Sequence, residues 1–399
     1  MDIQKQARRL SAFGFTSCLR IPDAVWVVLL AARGFPLWQI GLAEGVFHLV
    51  SLLAEIPSGM AADLMGRRRS LAAAGLCGVL SALCMAFSTN YLHICISMAF
   101  SALGCNFISG SDEALLYDSL KQAGQEETYL KASARYTQWQ NVGYFFSNAA
   151  SVLTALLNYV SFYLLDAAVG AGRMLAALSL TEPVVTETQA ARQQNPFAGL
   201  GRRLRQHVAT AVGFLRDDPK VLPVILADGL IGLPSYLTLM FLQQRLSALG
   251  VTTAWLGLPV MLFTASRMAG VALGERLPRV GLRRLFIITA LCVGFGTLCT
   301  GLCPVVPAVA GGMLAAGAMD LWILHQQRYL NDRFPSDQRA TLISVNAMSY
   351  SLLMVAASPL TGWLGDLTGN AGAGLCLLGG VLIAAAAAAG LFSIFCKKA

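Results

Sequence analysis

The fold class this sequence predicts is an all-α integral membrane protein: twelve transmembrane helices in two pseudo-symmetric six-helix bundles. Three observations predict it. The composition is 56% hydrophobic and only 13% charged, with a mean hydropathy of +0.61, too apolar for a water-soluble chain of 399 residues. The apolar residues fall into segments long enough to cross ~30 Å of hydrocarbon, which takes roughly 20 residues as helix. The two ends of the chain also repeat each other weakly. Helices are the expected spanning element because each satisfies its backbone hydrogen bonds internally.

The expected spans are 10–32, 37–60, 70–89, 92–116, 136–157, 160–179, 221–244, 254–275, 284–303, 306–327, 341–363 and 372–395. Lys5, Arg8 and Arg9 precede the first, but no small-residue cleavage site follows, so it reads as a retained helix rather than a signal peptide. On this map all but five of the 29 lysines and arginines lie at the termini or in the even-to-odd loops. The five are Arg33 and Arg245 on the opposite side and Arg20, Arg173 and Arg267 within spans. Positively charged loops face the cytoplasm, so both termini are expected there. Trp38, Trp255 and Trp363 then fall at the outer interface. The net charge of +8 follows from loop asymmetry and contact with anionic lipid, which argues against a nucleic-acid partner.

Residues 181–220 form the one long polar stretch. Leu200, Leu204, Val208, Val212 and Leu215 recur there at helical spacing against a basic face, which predicts a cytoplasmic linker with an amphipathic surface helix. The domains are therefore 1–180, 181–220 and 221–399. Across the linker, Gly34, Gly41 and Leu42 return as Gly250, Gly257 and Leu258, and Gly59, Gly66, Arg68 and Arg69 return as Gly274, Gly281, Arg283 and Arg284. Asp63 maps onto Pro278, so the second copy is degenerate. Nine of the ten cysteines lie in or at the ends of spans and Cys396 in the tail, without metal-ligand or disulfide-framework spacing. No metal site is expected.

The turn between the second and third spans reads EIPSGMAADLMGRRRSL over residues 55–71. Gly59, Asp63, Gly66 and Arg67-Arg68-Arg69 supply a helix stop, an acid, a turn residue and a basic cluster for lipid headgroups. This spacing resembles the signature between helices two and three of major facilitator superfamily transporters. SGSDEALLYDSL at 109–120, NDRFPSDQRAT at 331–341 and PLTGWLGD at 359–366 are similar to bacterial members at helix four, loop 10–11 and the end of helix eleven. Two departures stand out. Asn106 takes the place of an arginine usual in helix four, and residues 136–157 hold Gly143 but no proline, so the helix-five antiporter signature is missing.

The resemblance implies that helices 1, 4, 7 and 10 line a central cavity and that the halves rock about it. Each of those helices carries an acid: Asp23, Asp112, Asp228 and Asp320. A charge at mid-bilayer costs roughly 2.5–3.5 kcal/mol on insertion scales, so these acids, with Arg20 beside Asp23, Glu113 beside Asp112, and His325, are candidates for proton coupling or substrate binding. Glu44 and His48 add a carboxylate and imidazole one turn apart on helix two, a pairing that can pass a proton near neutral pH. Trp26, Trp139 and Trp322 could offer aromatic faces to a cation. Asp166 and Arg173, seven residues apart, are expected to pair structurally. Gly59, Asp63, Gly66, Arg67 and Arg68 are expected to form a conformational latch, with Asp63 accepting bonds from a helix N-terminus or from arginines.

No nucleotide loop of the G-x-x-x-x-G-K-[ST] type, no H-E-x-x-H and no G-x-S-x-G is present, which excludes an ATP-driven pump within this chain and argues against an enzyme. The leading expectation is proton-coupled export, by antiport, of a small amphiphilic or cationic compound through alternating access. The alternatives are proton-coupled uptake or facilitated diffusion of a small metabolite, and, more remotely, a non-transporting membrane sensor. The energy source is then the proton gradient with no cofactor. The partners are a small-molecule substrate and the lipid bilayer, the protein working as a monomer in the bacterial cytoplasmic membrane.

Overall fold

The computed structural model describes residues 2–183, 205, 213, 216, 218–277, 280–333 and 339–395. Among them every regular element is helical. The helices are α1 (Ile3–Cys18), α2 (Trp26–Ala32), α3 (Leu37–Met65), α4 (Arg67–Ala86), α5 (Tyr91–Ile108), α6 (Ser111–Gln122), α7 (Tyr129–Ala149) and α8 (Tyr159–Ser179). After the linker come α9 (Val221–Ala248), α10 (Gly257–Arg276), α11 (Leu282–Leu302), α12 (Val305–Arg333), α13 (Arg339–Thr368) and α14 (Ala373–Phe395). Among the described residues nine helical spans are long and apolar enough to cross a membrane. The expected spans 10–32, 136–157 and 341–363 are helical too but do not meet that standard as single apolar segments. The amphipathic helix expected within 181–220 lies almost wholly outside the described residues.

Three expected elements are shaped differently from their apolar patterns. The first span is broken: α1 ends at Cys18, residues 19–25 turn, and α2 starts at Trp26. Hydropathy cannot register such a break because the turn holds Ile21, Ala24 and Val25, all buried. The fourth span is interrupted at Ser109 and at Gly110, whose φ of 71° only glycine adopts readily. The second helix, expected to stop near residue 60, continues to Met65 with Pro57 inside it. The loop to α4 is then a single residue, Gly66, at φ 89°.

The described chain forms two compact units, Met1–Ala24 with Val46–Gln206, and Val25–Gly45 with His207–Ala399. In the first, α4 packs against α5 and α8, and α1 against α7 and α8. Small residues permit the close approach, as is usual where lipid removes the hydrophobic driving force: a Cβ on Gly75 would lie 2.6 Å from the Met174 backbone. Leu10, Phe13, Leu71, Leu115, Tyr136 and Leu180 form its core. In the second unit α11 packs against α12 and α14, α10 against α12, and α9 against α13 and α2. Its core includes Ile225, Ile231, Leu285, Val293, Trp322 and Leu382.

The segment Val25–Gly45 therefore packs with the C-terminal helices although it is early in the sequence. Asp366 on α13 caps the start of α3, its two oxygens accepting the N–H groups of Leu37 at 3.0 Å and Trp38 at 2.8 Å. Gln243 on α9 accepts the N–H of Val27 at 3.3 Å. Gly41 lies against the Ser358 backbone and Gly362 against that of Leu37, with no room for a Cβ at either position.

Candidate functional site

In the first unit, polar side chains gather on the break between α1 and α2. The turn leaves backbone groups without helical partners, and burial demands that they be satisfied. Asp166 accepts the Ile21 N–H at 2.9 Å. Arg173 donates to the Thr16 carbonyl at 3.0 and 2.8 Å and to that of Leu19 at 3.5 Å. Ser147 donates to the Arg20 carbonyl at 2.5 Å. Asp166 and Arg173, expected to pair with each other, thus serve chiefly to hold the broken segment. The Arg20 guanidinium reaches Cys105 Sγ at 2.7 Å and is in electrostatic contact with Asp23, which is exposed within the break. A small cavity of about 40 Å³, bordered by Arg20, Ser81, Ser101, Asp166 and Arg173, has room for about one to three waters.

The other candidates of this unit are placed separately. Asp112 is buried in the first turn of α6, where the helix dipole favours an acid. Its partner is Tyr136, whose hydroxyl donates at 2.7 Å, rather than a loop arginine such as Arg135. Glu113 beside it is exposed. Asn106 exchanges two bonds of 2.8 Å with Ser51, on the side chain and the carbonyl. His48 is buried with its ring edge-on to Phe47, centroids 5.3 Å apart. Trp139 is 42% exposed on α7 and meets Phe15 edge-on.

At the Gly66 turn the described side chains include an acid that the sequence did not single out. The carboxylate of Glu182, just past α8, accepts the N–H groups of Arg67 at 2.8 Å and Arg68 at 2.7 Å. It accepts at a helix N-terminus, as was expected of Asp63, whose side chain lies outside the described residues. The Arg67 guanidinium pairs with Asp118 on α6, and that of Arg68 reaches the Leu178 carbonyl at 2.5 Å. Gly59 has open space around its Cα hydrogen, so it reflects no close packing.

In the second unit a cavity of about 170 Å³ opens between α9, α10, α12 and α13, lined among others by Ser235, Tyr236, Phe263, Arg267, Asp320 and Tyr350. Arg267 Nε lies 3.1 and 3.2 Å from the two Asp320 oxygens. Arg267 is on a membrane-spanning helix yet half exposed, and a guanidinium at that depth is tolerated where it faces water or a polar cavity. Tyr236 donates to Glu44 at 2.8 Å. Asp228 stands apart from this group, accepting from Trp322 Nε1 at 3.1 Å and Asn346 Nδ2 at 3.0 Å. Trp322 is only 1% exposed and has no open face, while Trp26 is partly buried at the start of α2. His325 lies one turn beyond Leu321 with its ring nitrogens 3.1 Å from the carbonyls of Leu321 and Leu277, so it ties α12 to the end of α10.

Residues 11–352 match the profile of the Major Facilitator Superfamily. The chain belongs to that superfamily. It is a multi-pass membrane transporter, not an enzyme. A curated relative, the uncharacterized MFS-type transporter YxaM of Bacillus subtilis (strain 168), is 28% identical over 134 residues, 32% of this chain. The match spans about one third of that relative's length, 33%. Among solved structures, the nucleoside transporter NupG is 16% identical over 98% of this chain and 99% of its own, with a TM-score of 0.75. A D-xylose-proton symporter is 12% identical over 97% and 96%, with a TM-score of 0.72. A POT family transporter in complex with 5-aminolevulinic acid is 13% identical over 98% and 94%, at 0.67. These likenesses carry the superfamily fold.

Within this superfamily chain, the acids expected on helices 1, 4, 7 and 10 are thus not equivalent. Asp320 borders a cavity beside a cation, Asp228 and Asp112 are engaged by neutral donors inside the bundles, and Asp23 is exposed at a helix break. Arg267 was visible in the sequence as an arginine within a span. Its pairing with Asp320, 53 residues away, was not, since no local spacing links α10 to α12.

Proposed function

We propose that this transporter carries out proton-coupled uptake of a small, net-neutral, hydroxyl-bearing solute, held in the second unit against Tyr236, Tyr350 and the Arg267–Asp320 pair. The observation that carries the reading is the charge balance of that cavity. A lipophilic cation calls for unbalanced acid beside aromatic faces, whereas here the one lining carboxylate is matched by a guanidinium at 3.1 Å. Around that pair the lining includes Ser235, Tyr236, Tyr350 and the ring of Phe263, with the Tyr236 hydroxyl bonded to Glu44. Hydroxyls and a ring edge suit a polar molecule with one flat or apolar face. The volume of about 170 Å³ is below the ~300–1,000 Å³ of pockets for drug-sized ligands, which favours a sugar-sized or nucleobase-sized group. The neighbours include a nucleoside transporter and a proton symporter for D-xylose, which agrees with this class and with uptake.

On this reading the protein sits in the bacterial cytoplasmic membrane with both termini inside, works as a monomer, and uses the proton gradient without a cofactor. The test is transport into proteoliposomes of the purified chain with an acid exterior. Labelled uridine and D-xylose are compared with a lipophilic cation, tetraphenylphosphonium, while external pH is followed. Accumulation of a neutral probe with external alkalinisation is the expected result. Proton movement driven by tetraphenylphosphonium in the opposite sense to the cation, with neither neutral probe transported, would replace this reading by export antiport.

A further inference from the structure

Glu44 is 2% exposed and lies in the second turn of α3, in the stretch that packs with the C-terminal helices. Tyr236 Oη donates to its carboxylate at 2.8 Å, and the same tyrosine lines the cavity. From α13, Tyr350 also borders the cavity, within range of the charges of Glu44, Asp228 and Arg267. On α3 itself His48 follows one turn later. Glu44 is therefore one phenol removed from the solute's place. It belongs to the segment that Asp366, Gln243 and the Gly41 and Gly362 contacts fasten to this unit.

Resting on the function proposed above, we infer that Glu44 is the coupling acid of the transport cycle and that Tyr236 is the residue through which solute and proton sense each other. A phenol has one hydrogen to donate. While Glu44 is ionised, Tyr236 gives that hydrogen to the carboxylate, in a charge-assisted bond roughly twice as strong as a neutral one. A solute oxygen that takes the hydrogen instead withdraws it from a buried carboxylate, and a proton arriving on Glu44 neutralises the charge left behind. Conversely, a proton on Glu44 weakens its hold on Tyr236 and frees the hydroxyl for the solute. Each event favours the other by the same factor, which is the linkage a symporter needs. The solute must then present a hydrogen-bond acceptor to Tyr236, which a sugar hydroxyl or a nucleobase carbonyl supplies.

The test compares wild type, Glu44→Gln and Tyr236→Phe in proteoliposomes, with uridine and D-xylose as probes. It measures accumulation under a pH gradient and equilibrium counterflow without one. A gradient of about one pH unit supports roughly tenfold accumulation at one proton per solute. Glu44→Gln should keep counterflow, lose its dependence on pH, and show no accumulation above equilibration. Tyr236→Phe should raise the half-saturating solute concentration about tenfold and flatten the same pH profile, and it decides the matter if the glutamine variant does not fold. Accumulation by Glu44→Gln, or a wild-type pH profile in Tyr236→Phe, overturns the inference and leaves the proposed function standing. If wild type transports neither neutral probe, the proposed function fails, and this inference fails with it.

Discussion

Replacing Glu182 by alanine removes the carboxylate that receives the Arg67 and Arg68 N–H groups at 2.8 and 2.7 Å. These are two of the donors that a helix start leaves without intrahelical partners. Loss of a capping side chain costs ~0.5–2 kcal/mol, and loss of a negative charge beside a helix N-terminus about 0.3–1 kcal/mol more. Because Glu182 is only partly buried, the sum expected is about 1.5–2.5 kcal/mol. Glu182→Gln keeps one carbonyl acceptor and drops the charge, so it should cost about 0.5–1.5 kcal/mol. For a unit of roughly 200 residues each kcal/mol moves Tm by about 2–4 °C, which places the alanine variant about 3–10 °C below wild type. Tryptophan fluorescence during thermal unfolding in detergent reads this directly. The Arg67→Met control breaks the ion pair to Asp118 but leaves the capped N–H groups, and should melt above Glu182→Ala. An alanine variant within about 1 °C of wild type, or a glutamine variant less stable than alanine, would refute the cap.

Three further outcomes follow from single contacts. Tyr136→Phe removes the hydroxyl donated to buried Asp112 at 2.7 Å, and should cost about 1–2 kcal/mol, at the upper end for interhelical bonds in membranes because the acceptor is a carboxylate. Combining it with Asp112→Asn should cost less than the sum, and strict additivity in a double-mutant cycle would show that the bond contributes nothing. Trp322→Phe takes the indole N–H from Asp228, leaving Asn346 as its remaining described side-chain donor, and should cost about 1–3 kcal/mol in denaturant unfolding. An unchanged midpoint would contradict that. Gly362→Val would drive a Cβ into the Leu37 carbonyl; overpacking of at least about 1–3 kcal/mol should reduce probe transport about tenfold with protein still in the membrane, and wild-type rates would contradict the close contact.

The sequence conveyed a good part of the fold and less of the site. Helix-length apolar runs and Gly66 as a turn are local features, and both are present in the described structure; the superfamily signature is local too, and the family match agrees with it. Arg267 and Asp320 were both visible as charges inside spans, because a charge among some twenty apolar residues stands out by itself. Their partnership was not, nor was Tyr236 as the donor to Glu44 across 192 residues. Glu182 sits beside a polar linker and carries no mark of a capping role. The break after Cys18 was hidden because its residues are apolar, and hydropathy measures greasiness rather than backbone direction.

By itself, the sequence determined that this chain crosses the membrane many times and that it belongs with the major facilitators. These depend on composition and short-range spacing, which partition each segment between lipid and water one at a time. Only the tertiary structure decided which embedded charges are balanced, which are engaged by neutral donors, and which border a cavity, because those depend on helices meeting across long stretches of chain. It also decided that residues 25–45 pack with the C-terminal helices. A capping carboxylate on α13 and glycine contacts at Gly41 and Gly362 set that grouping, and neither the spacing nor the hydropathy of the segment encodes the partner it meets.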